Sequence, residues 1–186
     1  MALTVKQRGQ HIATFRFVEV RLMEILSAWV PSTPEMEAKL LFGPHIWDTA
    51  QAADALGKRT HELRLPLQHS IAPAPGYLEV LGDLAAVSGA TRRIAIMYDV
   101  ILPGLAARFR RYVQRTDNLM DAPSVRVIEG ILAASERMMR EADKLRTELP
   151  ALRCGDQAWL QQFAAREESV LELLVEDGAI EARRAA

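Results

Sequence analysis

The chain has 186 residues, of which 49% are hydrophobic and 25% charged, a balance that fits one folded domain over residues 1–186 rather than a disordered segment. A net charge of −1 gives no overall basic field, so we expect no nucleic-acid partner. Cys154 is the only cysteine, which excludes an internal disulfide and a metal site built from several thiolates of one chain.

Targeting signals are the next feature to consider. The sequence has no apolar run of about 18 residues, which a membrane-spanning helix would need. The N-terminal segment carries no apolar stretch of the kind found in secretory signals. We therefore expect a cytoplasmic protein that does not contact membranes.

Helical periodicity begins near the N-terminus and predicts a first helix over about residues 3–30, stopped by Pro31. The second predicted helix begins with Thr33 as N-cap and Pro34 at the first helical position, and it continues to about residue 64. The link between the two helices is short, so they are predicted to pack as antiparallel neighbours.

Two prolines, each next to a glycine, fall inside predicted helices. Pro44 should kink or break the second helix, and Pro103 should bend the third long helix, which spans about residues 90–115. Proline has this effect because it removes one helical hydrogen bond and clashes with the preceding turn. Residues 65–76 are rich in proline and predict a crossover connection between the two long helices.

The remaining segments complete an all-α prediction. A short helix is expected over about residues 77–87, a fourth long helix over about 121–149, and a C-terminal helix over about 156–175, ended by Gly178. No alternating pattern predicts a strand. Two antiparallel pairs joined by one crossover form the ferritin-like arrangement of a four-helix bundle, here with a short helix and a C-terminal helix added.

Polar residues on the apolar stripes are the candidates for chemistry. Glu19 lies on the apolar face of the first helix, and His45 and Asp48 share a face of the second. Counting equally from a turn centred near residue 32 places Glu19 level with His45, so we expect the carboxyl and the imidazole to converge in the core. A buried charge must be paired, protonated or bound to metal.

The motifs around these residues resemble a bacterial group of ferritin-like proteins of uncharacterised function, and the likeness covers roughly residues 17–145. The segments that carry the resemblance are Phe17-Val18-Glu19, Met23-Glu24, His45-Ile46-Trp47-Asp48, Ala53-Asp54, Arg59, Glu62-Leu63-Arg64, Thr116-Asp117 and Asp121-Ala122-Pro123-Ser124-Val125-Arg126. Members of the superfamily include iron-storage proteins, di-iron oxygenases and proteins that have lost their metal. The resemblance therefore implies the fold and leaves the activity open.

The di-iron pattern is only partly present. A full site uses a Glu from each of two helices and Glu-x-x-His from each of the other two. The candidate ligands for iron or manganese here are Glu19, His45, Asp48, Glu129 and Glu136. Met139 stands where the second histidine is expected, and a thioether is a poor ligand for these hard ions. The pattern is therefore degenerate in its second half.

Two functions follow from these observations. The first is a binding or structural bundle without a complete di-iron site, acting through a protein partner such as a second copy in a homodimer, or through a small-molecule ligand not specified by the sequence. The alternative is a metal-dependent oxidoreductase of the ferritin-like class, with the five candidate ligands at its centre. In the first case, the candidate residues form an ordinary buried polar cluster.

Overall fold

The computed structural model describes residues 3–174, and these residues form helices joined by loops, with no β-strand among them. The predicted all-α class is therefore confirmed for the described part of the chain. The helices are α1 (Val5–Ser32), α2 (Met36–Glu62), α3 (Pro75–Ala86), α4 (Ala90–Ala95, Ile96–Ile101 and Leu102–Arg115 in continuous succession), α5 (Ala122–Glu148) and α6 (Gln157–Ser169). The middle segment of α4 is π-helical, and a single 3₁₀ turn, Pro150–Leu152, follows α5.

The first two helices form an antiparallel pair. Trp29 near the end of α1 packs against Phe42 near the start of α2, with ring centroids 5.8 Å apart. At the opposite end, Gly9 lies against Leu63, which follows α2. The short link after Ser32 produces this pairing, as predicted.

The long helices contact one another in a closed order. α2 packs against α5, and α5 packs against α4. Phe109 of α4 contacts Phe15 of α1 with ring centroids 4.6 Å apart, which closes the order. The helices α3 and α6 contact each other on the outside of this group. None of the described helices is both long and apolar enough to cross a membrane.

The turn between α1 and α2 differs from the prediction. Pro31 does not stop α1, which continues to Ser32. The hydroxyls of Ser32 and Thr33 donate to the carbonyls of Ala28 and Trp29, which satisfies carbonyls that a helix end leaves without partners. Because the Thr33 hydroxyl is used in this way, it does not cap α2, which begins at Met36 without a side-chain cap.

The helix geometry differs around the two internal prolines, Pro44 and Pro103. α2 continues through Pro44 without a break. In α4 the departure from α-helical geometry precedes Pro103, because the π-helical segment Ile96–Ile101 ends two residues before it. A wider turn at this point changes the direction of the side chains that follow, and such turns are frequent at functional sites.

The C-terminal helix is shorter than predicted. α6 ends at Ser169, where the prediction extended to about residue 175. The Arg108 guanidinium of α4 donates to the carbonyls of Glu167 and Val170. These carbonyls at the end of α6 are therefore bonded to a side chain and not to the amides of a further helical turn. The chain then passes α3, where the Ala74 amide donates to the Leu173 carbonyl. The predicted stop at Gly178 lies outside the described residues.

Candidate functional site

His45 has no solvent-exposed surface and uses both ring nitrogens in hydrogen bonds. Nδ1 lies 2.6 Å from the Tyr98 hydroxyl oxygen, and Nε2 lies 2.8 Å from Glu141 Oε2. A carboxylate can only accept, so Nε2 carries the proton and donates to Glu141, while Nδ1 accepts from the Tyr98 hydroxyl. We refer to Tyr98, His45 and Glu141 as the His45 array.

The charge state of His45 follows from its surroundings. Burial lowers the pKa of the His45 imidazole, although Glu141 and Asp48 act in the opposite direction. The ring is therefore neutral at pH 7, and its contact with Glu141 is a charge-assisted hydrogen bond rather than an ion pair. Burial also raises the pKa of Tyr98 well above its ordinary value, which keeps the phenol protonated and able to donate.

The position of Tyr98 depends on the π-helical segment of α4. Tyr98 lies within this segment and is almost fully buried beside the His45 ring, with ring centroids 5.3 Å apart. The neighbouring Asp99 points outward and forms a two-pronged ion pair with Arg146 of α5, at 2.5 and 2.8 Å. This pair anchors the wide turn to α5 on the side opposite the buried ring.

The outer end of the His45 array is held by charges at the surface. Asp48 lies one turn after His45 on α2 and forms a 2.7 Å ion pair with Arg137 of α5. The same guanidinium lies 3.7 Å from Glu141. These contacts fix the Glu141 carboxylate over His45, so the array connects a buried phenol to a solvated carboxylate across α4, α2 and α5.

Glu19 is buried elsewhere in the interior. Only 3% of it is exposed, and it forms no hydrogen bond to a described residue. Burial raises the pKa of its carboxyl from 4.5 to about 8, so Glu19 is uncharged at pH 7. Burial likewise raises the pKa of Tyr77, and the Glu19 carboxyl raises it further once it has ionised. Glu19 therefore faces α3 and not the His45 array.

The expected convergence of Glu19 with His45 is wrong, and the register of α1 and α2 explains why. Trp29 of α1 is level with Phe42 of α2. In an antiparallel pair this places Glu19, ten residues before Trp29, level with Ala52. His45 lies seven residues from Ala52, about 10 Å along the axis. The equal count from residue 32 misplaced the turn, because α1 continues past Pro31.

The two predicted ligands on α5 lie at the surface. Glu129 is exposed, and Glu136 is exposed and forms a 3.1 Å ion pair with Arg110. Met139 is half-buried and packs against the core. Within residues 3–174 no group of three or more histidine, cysteine, aspartate or glutamate side chains is placed to hold a metal ion. The structure thus brings His45 close to Asp48 and separates the other candidates.

Glu141 is the functional residue that the sequence analysis missed. It lies three residues after the buried Met138 on α5, at the edge of the face that packs on α2. A carboxylate at this spacing can reach the core from the surface. The Glu-x-x-His spacing instead pointed to Glu136, five residues earlier on the same helix. Tyr98 was not among the predicted site residues either.

A second buried polar cluster is built from the motifs that carry the family resemblance. Asp121 is fully buried and accepts from Arg59 at 3.0 Å, Ser124 at 2.6 Å, Tyr112 at 2.6 Å and Thr116 at 2.8 Å. Burial alone would raise the pKa of the Asp121 carboxyl, but these hydrogen bonds together lower it below its ordinary value. We call this the Asp121 network; it joins the ends of α2 and α4 to the start of α5.

A third cluster lies between α4 and α6. Arg108 and Glu167 form an ion pair, and Arg108 also lies over the Tyr77 ring, 5.0 Å from its centroid. The Tyr77 hydroxyl is buried beside the Glu167 carboxylate and forms no well-aligned hydrogen bond. Gly104 leaves room for the carboxylate, since a side-chain carbon there would lie 2.5 Å from Glu167 Oε1. This cluster fixes α6 on the bundle.

An exposed apolar face runs along the first half of α2. Met36, Leu40 and Trp47 have 59%, 68% and 66% of their surface exposed. Gly43 lies between them and is exposed, and no atom beyond its chain neighbours and its own helix backbone lies within 4 Å of the place a side-chain carbon would occupy. We call these four residues the α2 outer face. It is opposite the core-facing side that carries His45.

Comparison of the chain with models of known protein families, with curated proteins and with solved structures finds no match. The ferritin-like resemblance therefore stays a prediction made from the sequence motifs.

Proposed function

We propose that the chain is a ferritin-like bundle without a complete di-iron site and that it works by binding a partner through its surface. The closed contact order of α1, α2, α5 and α4 supports the ferritin-like arrangement. The connection from α2 to α4, which contains α3, supports it as the long crossover.

The observation that carries this proposal is the state of His45. One ring nitrogen donates to Glu141 and the other accepts from Tyr98, so neither nitrogen has a lone pair free to ligate a metal. Asp48 is likewise engaged by Arg137. A metal ion bound to His45 and Asp48 would have to displace their contacts with Tyr98, Glu141 and Arg137. The candidate ligands on α5, Glu129 and Glu136, lie at the surface and cannot replace these contacts. The donor set does not fit a di-iron centre.

The α2 outer face supports a role in binding. Single exposed apolar residues are common, but a row of large apolar side chains on one face marks an interaction surface. Trp47 and Met36 are side-chain types enriched in the buried centres of interfaces. The proposed partner therefore covers α2 between Met36 and Trp47.

Metal analysis tests the proposal against the alternative of a metal-dependent oxidoreductase. The protein is purified without chelator, titrated with Fe(II) and Mn(II) under anaerobic conditions, and compared with His45→Ala. His61→Ala is the matched control, because His61 is exposed near the end of the same helix. We expect no stoichiometric metal in any of the three. Metal bound near one or two equivalents, lost in His45→Ala and kept in His61→Ala, would establish the alternative instead.

A further inference from the structure

The chain that follows α6 is not helical and lies along α4, where arginine side chains hold it. We call residues 170–174 the strap. Arg108 and Arg111 of α4 donate to its backbone carbonyls, at 2.7 and 3.2 Å. Beyond its junction with α6, its only backbone hydrogen bond within residues 3–174 joins the Ala74 amide to the Leu173 carbonyl, at 2.7 Å. The strap is therefore attached mainly through side chains of another helix.

The remaining contacts of the strap are weak ones. Glu172 is its only charged residue, and its carboxylate lies 3.2 Å from Arg111 and 3.4 Å from Arg115. All three side chains are about half-exposed, and exposed ion pairs contribute little to stability. Leu173 is buried, whereas Leu171 is mostly exposed. A modest change in free energy is therefore enough to release the strap.

The strap forms one wall of a small cavity, and α1 and α4 form most of the rest. His11 of α1 lines this cavity beside Phe15 and Tyr112, and Leu171 and Leu173 line it from the strap. The His11 ring meets the Tyr112 ring edge-on, with centroids 5.5 Å apart. The cavity has a volume of about 20 Å³, which is room for one water molecule. His11 therefore faces the strap across a nearly dry space.

The charges around this cavity are mostly positive. Among the described residues that line it, α4 contributes Arg108, Arg111 and Arg115, the strap contributes Glu172, and α1 contributes no ionisable group except His11. Burial lowers the pKa of the His11 imidazole from 6.5 to about 4, with Arg115 acting in the same direction and Glu172, more weakly, in the opposite one. The ring is therefore neutral at pH 7 while the strap is closed.

We propose that protonation of His11 releases the strap, so that residues 170–174 form a pH-sensitive cover over the arginines and aromatic rings of α4. An imidazolium has two N–H donors, and each needs an acceptor or water. His11 forms no hydrogen bond with a described residue, and the closed cavity has space for only one water. Release of the strap opens the ring to solvent. No residue of α2 lines this cavity, so the proposal is independent of the α2 outer face.

The direction and range of the pH effect follow from the two states of the strap. With the strap closed, His11 binds a proton only below about pH 4, whereas a solvated imidazole binds one near pH 6.5. The closed state is therefore fully favoured above pH 6.5 and loses stability as the pH falls from 6.5 to 4. Between pH 7 and pH 5, the ratio of open to closed strap should rise by up to about twentyfold.

Hydrogen exchange of single amides in the full chain measures the release. The Ala74 amide reports on the strap, because it donates to the Leu173 carbonyl. The Ile71 amide lies in the same connection but donates to the Ala13 carbonyl of α1, so it is the internal control. Rates are measured by nuclear magnetic resonance at pH 7, 6 and 5 and divided by the intrinsic rate at each pH. We expect the protection of Ala74 to fall about tenfold or more, and that of Ile71 to change little. Constant Ala74 protection, or an equal loss at both amides, would overturn the proposal.

His11→Gln identifies the group that titrates. Glutamine stays neutral over this pH range, so the protection of Ala74 should become nearly independent of pH. His69→Gln is the matched control, because His69 is also half-buried but does not line the cavity. This variant should keep the wild-type fall in protection. The same fall in His11→Gln would show that another group is responsible.

Glu172→Gln tests the other ionisable group in the strap. The amide removes the charge that holds the strap to the arginines, so the protection of Ala74 should be lower at every pH. The fall between pH 7 and pH 5 should remain, because His11 is still present. A pH dependence that disappears in Glu172→Gln and persists in His11→Gln would assign the effect to Glu172 and refute the role of His11.

Discussion

Glu19 shows how burial decides the charge of a side chain. Its carboxyl has no cation and no hydrogen-bond donor among the described residues, so the protein keeps it protonated at neutral pH. Burying an isolated carboxylate costs more free energy than keeping it protonated, so its pKa rises. The neutral side chain therefore contributes packing at pH 7, and its ionisation at higher pH destabilises the folded state.

Glu19→Gln is expected to change the pH dependence of stability. The unfolded carboxyl ionises above pH 4.5, whereas the folded one ionises only above pH 8, so wild-type stability falls as the pH rises between these values. The neutral amide removes this loss, which amounts to about 3 kcal/mol at pH 7. Urea denaturation at pH 4 and pH 8 measures it. A variant that loses stability with pH as steeply as the wild type would contradict the assignment.

Tyr98→Phe tests how much the Tyr98–His45 hydrogen bond contributes to stability. Without the hydroxyl, Nδ1 of His45 is left buried without a donor, and we expect a loss of about 1–3 kcal/mol in the free energy of unfolding. Tyr77→Phe is the matched control, because that hydroxyl is also buried but forms no well-aligned hydrogen bond. Chemical denaturation should show little loss for Tyr77→Phe. Equal losses in the two variants would show that the array contributes no specific stability.

At the scale of the helices, most helix bounds could be predicted from the sequence. The π-helical segment of α4 and the early end of α6 could not. The apolar spacing gave α3, α4 and α5 nearly their observed bounds. The π-helical segment was not predictable from Pro103, because proline indicates only that a hydrogen bond is missing and not how the turn adjusts. The end of α6 also depends on Arg108, a residue far away in the sequence.

The Asp121 network gives a physical reason for three of the motifs that carry the resemblance. Arg59 comes from the end of α2, and Thr116 and Asp121 border the turn before α5. Their joint burial could not be read from spacing along the chain, since Arg59 and Asp121 are 62 residues apart. We infer that these motif residues specify the fold at this end of the bundle.

Asp121→Ala is expected to destabilise the protein by about 3–5 kcal/mol, because it removes the buried acceptor of four hydrogen bonds and leaves Arg59 with only the exposed carboxylate of Glu62 as a charge partner. The pKa of Asp121 is lowered in the folded state, so its contribution is present above the ordinary pKa and is lost as the pH falls. Asp117→Ala in the same turn removes only exposed contacts and is the control. Calorimetry at neutral pH compares the two. Similar thermal midpoints would rule out the network as a major source of stability.

At the scale of the whole molecule, the candidate site was harder to predict than the fold. The sequence indicated correctly that His45 lies in the core, and it indicated the wrong partner for it. The error came from the register of two helices, which depends on where one turn lies. Helix bounds tolerate such an error of a few residues, but a site does not, because its chemistry depends on which side chains meet.

Nuclear magnetic resonance of the histidine nitrogens tests the central claim, that the His45 array satisfies itself without metal. The protein is labelled with ¹⁵N histidine, and His45 is identified as the signal missing in His45→Ala. We predict a neutral ring with the proton on Nε2 at pH 7, unchanged when Zn(II) is added as a diamagnetic probe. A change in the ¹⁵N chemical shift of His45 to the value of a metal-bound nitrogen at stoichiometric Zn(II) would contradict this claim and support a metal site at His45.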